Sequence, residues 1–292
     1  MKRTHRMEQT RWDLALRYRL IETVVWWEGR LTTNHLMQSF GISRQQASKD
    51  INTYINDYAS KNLVYDKQIK GYVPTRQFKP LFIDDSASAY LDLLNQNNER
   101  APHIEGLALA YAHTEVLKVP DRSVKPEVLR PLLKACREKR RLDIEYVSFT
   151  SPDPEGRTIA PHTLVYTGMR WHVRAYCEKN RTYRDFVLSR LRGVPELHEG
   201  ESDNGIDQDL EWNTPVDVIF KPDERLTQAQ RAIIEVDFGM TGGQLLVRSS
   251  QALVKYVVKR FQVNPNVHDP RPEAQQLVLA NRAELKPWLN LD

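Results

Sequence analysis

Residues 43–56 concentrate side chains that can bond to the edges of base pairs. Gln45, Lys49, Asn52 and Asn56 recur at spacings of four, three and four, which is one face of a helix, with Ser43, Arg44, Gln46 and Ser48 around its start. Lys and Arg donate to the acceptors of guanine, while Gln and Asn match the donor and acceptor of adenine. Acids would repel phosphate, and only Asp50 and Asp57 interrupt the run. Such a face either reads nucleic acid or is merely solvated, and the elements around it decide which.

Those elements lie in the stretch 31–59. A short helix over 33–40 turns Leu36, Met37 and Phe40 inward. Gly41 supplies the positive φ of a sharp turn, Ile42 plugs it, and Ser43 is a natural N-cap for the next helix. Ala47, Ile51, Tyr54 and Tyr58 form the buried stripe opposite the polar face, and small Ala47 lets the two helices cross closely. This is the helix-turn-helix pattern. An earlier helix over 12–27 carries Leu14, Tyr18, Ile21 and Val25 on one stripe and ends at Gly29; its Trp26 and Trp27 are expected to pack rather than stack on bases. After the second helix, 63–65 and 71–73 read as two strands around a charged turn, a wing whose Lys67 and Lys70, with Arg76, rest on phosphate and position without specifying.

A second group of side chains suits an anion. Residues 142–149, 157–167, 170–177 and 182–191 read as short strands joined by the turn sequences SPDPEG, TGM and EKNR. Strands at this spacing suggest a small β-barrel or strongly bent sheet. Alternation puts His172, Arg174 and Tyr176 opposite Trp171, Val173 and Ala175, and groups Arg184 with Phe186, Leu188 and Arg190. Arginines beside apolar residues suit an anionic ligand with an aromatic part, such as a nucleotide. They equally suit pairing with acids such as Asp185 or Glu178. His162, on the preceding strand, completes the candidate effector set.

Composition bounds these readings. The 292 residues suit two or three domains, with 40% hydrophobic and 27% charged residues. Residues 1–76 hold 13 Lys and Arg against 7 Asp and Glu, so the net +4 of the chain divides into +6 there and −2 elsewhere. A basic N-terminal part is what phosphate neutralisation needs. No apolar run approaches the ~20 residues of a membrane span, and no apolar signal region follows the charged N-terminus, so a cytoplasmic protein is expected. Cys136 and Cys177 lack metal-ligand spacing and read as reduced thiols; His103 and His113 have no ligand-spaced partner. Neither a metal nor a cofactor is expected.

The stretch 160–191, APHTLVYTGMRWHVRAYCEKNRTYRDFVLSRL, resembles the WYL domain of bacterial transcription regulators. Trp171-His172-Val173 stands at the name-giving triplet, and Arg184 to Leu191 matches the R-x-F-x-L-x-R-hydrophobic motif. The resemblance implies a small Sm/SH3-like barrel that senses a ligand, often a nucleotide or nucleic-acid fragment. His172 replaces the family's tyrosine, and an imidazole there would bring titration near neutrality. The layout of winged helix, WYL domain and C-terminal extension resembles the repressors of BREX-type phage-defence islands.

The expected architecture is multidomain α+β. It comprises a winged helix-turn-helix over 1–80, a helical connector over 81–127, a WYL-like β-barrel over 128–200, and a small α/β dimerisation domain over 201–292. The acidic run 196–211 reads as a flexible linker. In the last part, Leu226, Ala229, Ile233 and Val236 recur at helical spacing, closed by Gly239. The expected function is a homodimeric repressor of a phage-defence operon. It binds an inverted repeat in double-stranded DNA and responds to an anionic, nucleotide-like effector, with no membrane partner. The alternatives are a nucleic-acid-processing enzyme with a helix-turn-helix targeting module, for which no catalytic motif is present, and an activator.

Overall fold

The computed structural model describes residues 11–84, 86–99, 117, 122–150, 152–267 and 269–289. Much of the helical connector expected over 81–127, with His103 and His113, lies outside them. The chain divides into two compact units, residues 1–119 and 120–292.

In the first unit, α1 (Trp12–Thr23) runs on through a π-helical turn (Val24–Glu28) and stops at Gly29, whose φ of 75° is left-handed. Helix α2 (Thr33–Phe40) ends at Gly41, with φ 60°, and α3 (Arg44–Thr53) continues into a second π-helical turn (Tyr54–Tyr58). Strands β1 (Leu63–Asp66) and β2 (Gly71–Pro74) form the wing, and Leu31 and Tyr72 exchange two backbone hydrogen bonds at 2.8 Å, so β2 is fastened to the linker before α2. Tyr18, Ile21, Leu36, Ala47, Ile51 and Tyr54 meet in one core. Full burial of such side chains contributes about 1.5–3 kcal/mol each for the larger ones, and this core holds the three helices at fixed angles. Trp26 stacks on Phe78 and Trp27 on Tyr90 of the connector helix α4 (Ala87–Glu99), so both tryptophans pack the chain that leaves the wing.

The second unit opens with α5 (Pro126–Glu138), which starts with proline at its first position and ends at Lys139 in the left-handed region. Strands β3 (Arg140–Tyr146), β4 (Glu155–Tyr166), β5 (Trp171–Cys177), β6 (Thr182–Val187) and β7 (Leu191–Glu201) make an antiparallel sheet in the order β6-β5-β4-β3-β7. Among the described residues no ladder joins β6 to β7, so the sheet is open where a closed barrel was expected. Helix α5 buries Val128, Leu132 and Ala135 against one sheet face. Strand β5 is buried from His172 to Ala175 without alternation because its other face is covered as well.

What covers it is the chain that follows β7. The acidic run expected as a flexible linker is instead strand β7 as far as Glu201, then a 3-10 turn (Ile206–Gln208) and the short helix α6 (Leu210–Asn213). Its Asp209 is 1% exposed, because one buried arginine needs a carboxylate there. Composition marked the run as solvated, and the arginine that reverses this lies 35 residues earlier.

The C-terminal part is a three-stranded antiparallel sheet, β8 (Pro215–Pro222), β9 (Leu245–Ser250) and β10 (Leu277–Leu279), in the order β10-β8-β9. Helices α7 (Gln228–Asp237), α8 (Val254–Arg260) and α9 (Arg282–Leu285) complete it. The helix expected from that spacing is present as α7, and within it Ile234 is buried with Leu226, while Ile233 is 61% and Val236 81% exposed. The inward face is completed by Phe238 and Met240 beyond the helix end, where helical spacing no longer applies.

Candidate nucleic-acid interface and effector site

Ser43 caps α3 as expected, its hydroxyl accepting from the Gln46 amide at 3.2 Å. Arg44, Gln45, Lys49 and Asn52 are all exposed along the helix, and Ser48 is half-buried. Gln46 differs from the others: its amide donates to Asp50 at 2.7 Å, on the inner side of the helix. Asp50 is 3% exposed and also accepts from the Arg17 guanidinium at 2.7 Å. Arg17 reaches Asp13 as well, at 2.9 Å. The acid that seemed to interrupt the reading face therefore turns inward and is neutralised by α1.

Lys67 and Lys70 are exposed on the wing turn. Asp66 accepts the amides of Gln68 (2.7 Å) and Ile69 (3.3 Å), Lys70 holds a left-handed φ of 51°, and Arg30 donates to the Ile69 carbonyl at 2.8 Å. The turn is thus built with side-chain bonds that leave the two ammonium groups outward.

Sequence reasoning missed the polar bracket behind this surface. Glu22 is fully buried, and burial raises its carboxyl pKa against the bonds it accepts. Those bonds come from the Tyr54 hydroxyl (2.7 Å) and the amides of Leu81 (2.9 Å), Phe82 (2.7 Å) and Ile83 (3.2 Å). Asn62 donates to the Tyr54 oxygen at 2.9 Å and to the Lys79 carbonyl at 2.8 Å. First helix, recognition helix and the strap after the wing are held at one point. The available signal was a lone acid inside the apolar run LIETVVWW.

In the second unit the structure separates the five candidate effector residues. The register pairs Arg184 with Ala175 and Asp185 with Arg174, so Arg184 lies on the α5 side of the sheet, exposed at its rim. Arg190 does not share a strand face with it. Strand β6 ends at Val187, and Arg190 sits in a 3-10 turn (Leu188–Arg190) with its guanidinium 4.5 Å from the Phe149 ring centre. His162, His172 and Arg174 meet on the opposite face. A bulge between Pro161 and Thr163 leaves His162 without a cross-strand partner, and proline's missing donor makes a bulge natural there.

On that face Arg174, 3% exposed, is bound by three carboxylates: Asp209 at 2.7 and 3.1 Å, Glu211 at 3.0 Å and Asp185 at 3.5 Å. Burial works to lower its pKa, and these partners outweigh it, so the guanidinium is held charged. Burial likewise works to raise the Asp209 carboxyl, but Arg174 holds it below the usual range. His162 Nε2 lies 3.2 Å from Asp209 and its Nδ1 2.7 Å from the Thr163 hydroxyl; burial lowers its pKa in spite of Asp209. Helix α8 reaches the same cluster: the Tyr256 hydroxyl donates to Asp185 at 2.9 Å, and Lys255 stands 3.3 Å from it.

His172 is covered by the Tyr256 ring, their centres 5.1 Å apart. Burial pushes its pKa down to about 4, which overturns the expectation of titration near neutrality. The imidazole is neutral at pH 7, and its Nδ1 has no hydrogen-bond partner.

Cys136 and Cys177 are free thiols; burial raises Cys136 to about 11, so it is protonated and unreactive at neutral pH. No group of His, Cys, Asp and Glu among the described residues could hold a metal ion, and no helix there is long and apolar enough to cross a membrane.

Three family models match this arrangement. The BrxR transcriptional regulator winged helix-turn-helix domain covers residues 13–96, the WYL domain 127–195, and the BrxR transcriptional regulator C-terminal dimerization domain 215–285. The DNA-binding transcriptional repressor CapW of Pseudomonas aeruginosa is 37% identical over 278 residues, spanning 94% of this chain and 92% of its own length. The chain belongs to the CapW family of WYL-domain regulators. CapW of Escherichia coli is 34% identical and spans 94% of this chain and 91% of itself. Both relatives are named as DNA-binding transcriptional repressors, and the domains matched in this chain are those of transcriptional regulators. Among solved structures, proteasome accessory factor B/C of Arthrobacter aurescens is 18% identical over 95% of this chain and 48% of its own length. Its TM-score of 0.24 is too low to bear on the fold.

Proposed function

We propose that this CapW-family chain is a homodimeric repressor of a phage-defence operon, that it reads an inverted repeat, and that an anionic, nucleotide-like effector acting on the WYL-like domain controls it. The observation that carries the reading is the face of α3. Arg44, Gln45, Lys49 and Asn52 are exposed side by side while the intervening Asp50 is neutralised by Arg17. A helix so arranged offers base-edge donors without a repelling charge, and the wing lysines beside it suit phosphate. Two such readers on a two-fold axis fit half-sites about one DNA turn apart.

Support for pairing comes from the match to a dimerization domain and from the outward face of α7, where Ile233 and Val236 are exposed. Support for an anionic effector comes from cations at the His172 end of the sheet: Lys255 beside the Tyr256 ring that covers His172, Arg170 directly before β5, and Arg190 in the turn after β6. Arg174 and His162 hold the acidic segment around Asp209 in this state, and their part in the response is to keep that segment in place.

Mobility-shift assays on the DNA upstream of the chain's own gene test the reading. A palindromic site is expected to bind at least tenfold more tightly than either half-site or random DNA. Equal binding to all three sinks the inverted-repeat reading. A reporter fused to that DNA separates repression from activation: expression is expected to fall when the protein is supplied.

A further inference from the structure

The anionic-effector reading leaves open how a ligand bound on a sheet would be felt by the part of the chain that pairs two subunits. The geometry around His172 bears on this. His172 is 5% exposed, and its Nδ1 is buried with no partner. A buried acceptor or donor left unmade is costly and marks a place where a ligand group can be accommodated. The lid over it comes from the C-terminal domain: Tyr256 covers the ring, and Lys255 Nζ lies 5.1 Å from the centre of the Tyr256 ring. Neither Arg170 nor Arg190 pairs with a carboxylate among the described residues. Lys255 does, at 3.3 Å from Asp185, but its side chain is 32% exposed and so reachable from solvent.

Asp185 does not depend on Lys255. It keeps the Tyr256 hydroxyl at 2.9 Å and Arg174 at 3.5 Å. Arg174 in turn is ringed by Asp209, Glu211 and Asp185, whose negative charge opposes an incoming anion there. The cation placed beside the covered imidazole is therefore Lys255, next to the Tyr256 ring, while Arg170 directly precedes β5 and Arg190 lies in the turn after β6, whose last residue, Val187, pairs with His172.

We propose that Lys255, carried on α8 of the C-terminal domain, is itself a ligand of the effector: it leaves Asp185 for the effector's phosphate group and holds it, with Arg190 and Arg170, against the His172 ring. The effector is then shared between the WYL-like sheet and the dimerization domain. Its binding loosens one of the two bonds by which α8 grips Asp185, which shifts the balance between two placements of that domain. This inference rests on the reading of an anionic effector in this region.

Isothermal titration of the full chain with inorganic pyrophosphate and with adenosine monophosphate tests it, on wild type, Lys255→Ala, Arg190→Ala and a control, Lys259→Ala, on the exposed side of the same helix. Circular dichroism verifies that each variant is folded. Lys255→Ala and Arg190→Ala are expected to weaken binding tenfold or more, and Lys259→Ala less than twofold. Wild-type affinity in Lys255→Ala overturns the inference and leaves the anionic-effector reading standing. Equal losses in Lys255→Ala and Lys259→Ala overturn it too, because helix charge alone would then explain the binding. No binding of either probe to the wild type at millimolar concentration overturns the effector reading and this inference together.

Discussion

Asn52 and Lys67 are both exposed, but their loss should look different. Asn52 lies on the face of α3 proposed to meet base edges, so Asn52→Ala is expected to weaken operator binding by about 1–3 kcal/mol and to relax specificity at one position. Lys67 lies on the wing turn, and Lys67→Ala should weaken all DNA sequences alike while reducing the salt slope by about 1. Binding titrations at several salt concentrations on operator and random DNA separate the two, and identical profiles would count against both assignments. His172 carries a pH prediction. Its folded pKa of about 4 lies below the ordinary 6.5, so the unfolded chain binds the proton more tightly. The stability it contributes is complete above pH 6.5 and is lost as pH falls towards 4, by up to ~3 kcal/mol. His162 is shifted in the same direction. Chemical denaturation at pH 7 and pH 4.5 should show a smaller difference for His172→Phe than for wild type, and an unchanged difference would remove His172 from the account. The roles expected of Asn52 and Lys67 were legible in residue type and spacing, and the His172 shift was not. The imidazole's type suggested a switch near neutrality, and burial on the covered face of the sheet, where Tyr256 lies over the ring, moves the titration out of that range.

At the scale of elements, the helix-turn-helix was readable because its signals are local. The Ser43 cap, the left-handed Gly41 and the Ala47-Ile51-Tyr54 stripe each depend on neighbours within a few residues. The bracket around Glu22 was not readable, since its partners lie 32 and about 60 residues away. Glu22→Ala should strand the Tyr54 hydroxyl and the amides of Leu81, Phe82 and Ile83. A loss of at least ~3 kcal/mol is expected from several buried groups left unpaired. Glu22→Gln, which keeps one acceptor, should lose less. Urea midpoints of the two variants provide the measurement, and equal midpoints with wild type would show that the bracket is not holding the strap. The strands of the WYL-like domain were likewise readable from turn chemistry and alternation, but their ends were not. The bulge at His162 and the stop of β6 at Val187 decide which side chains share a face.

For the whole molecule, the prediction concerns pairing. Ile233 and Val236 stand exposed on α7 in a region that matches a dimerization domain. Apolar side chains facing water on one helix are best explained by a partner surface, and a carboxylate placed there would have to be desolvated on association. Ile233→Glu combined with Val236→Glu is expected to convert a dimer to a monomer in light scattering after gel filtration. It should also lower affinity for a palindromic site far more than for a half-site. A double variant that stays dimeric would place the interface elsewhere in the C-terminal domain.

What the amino-acid sequence determined by itself was the set of units and their broad chemistry: a DNA-reading helix with its wing, a strand-rich domain bearing arginines, and a small α/β end. Those follow from periodicity, caps and turns, which act over a few residues. Tertiary structure decided which of the charged residues are available. Asp50 turns inward to Arg17 and takes a bond from Gln46 there, and Arg174 is bound by Asp209, Glu211 and Asp185. The acidic run beside them becomes ordered structure for the same reason. A buried charge must find its counter-charge, and the chain supplied it from positions that no local pattern connects.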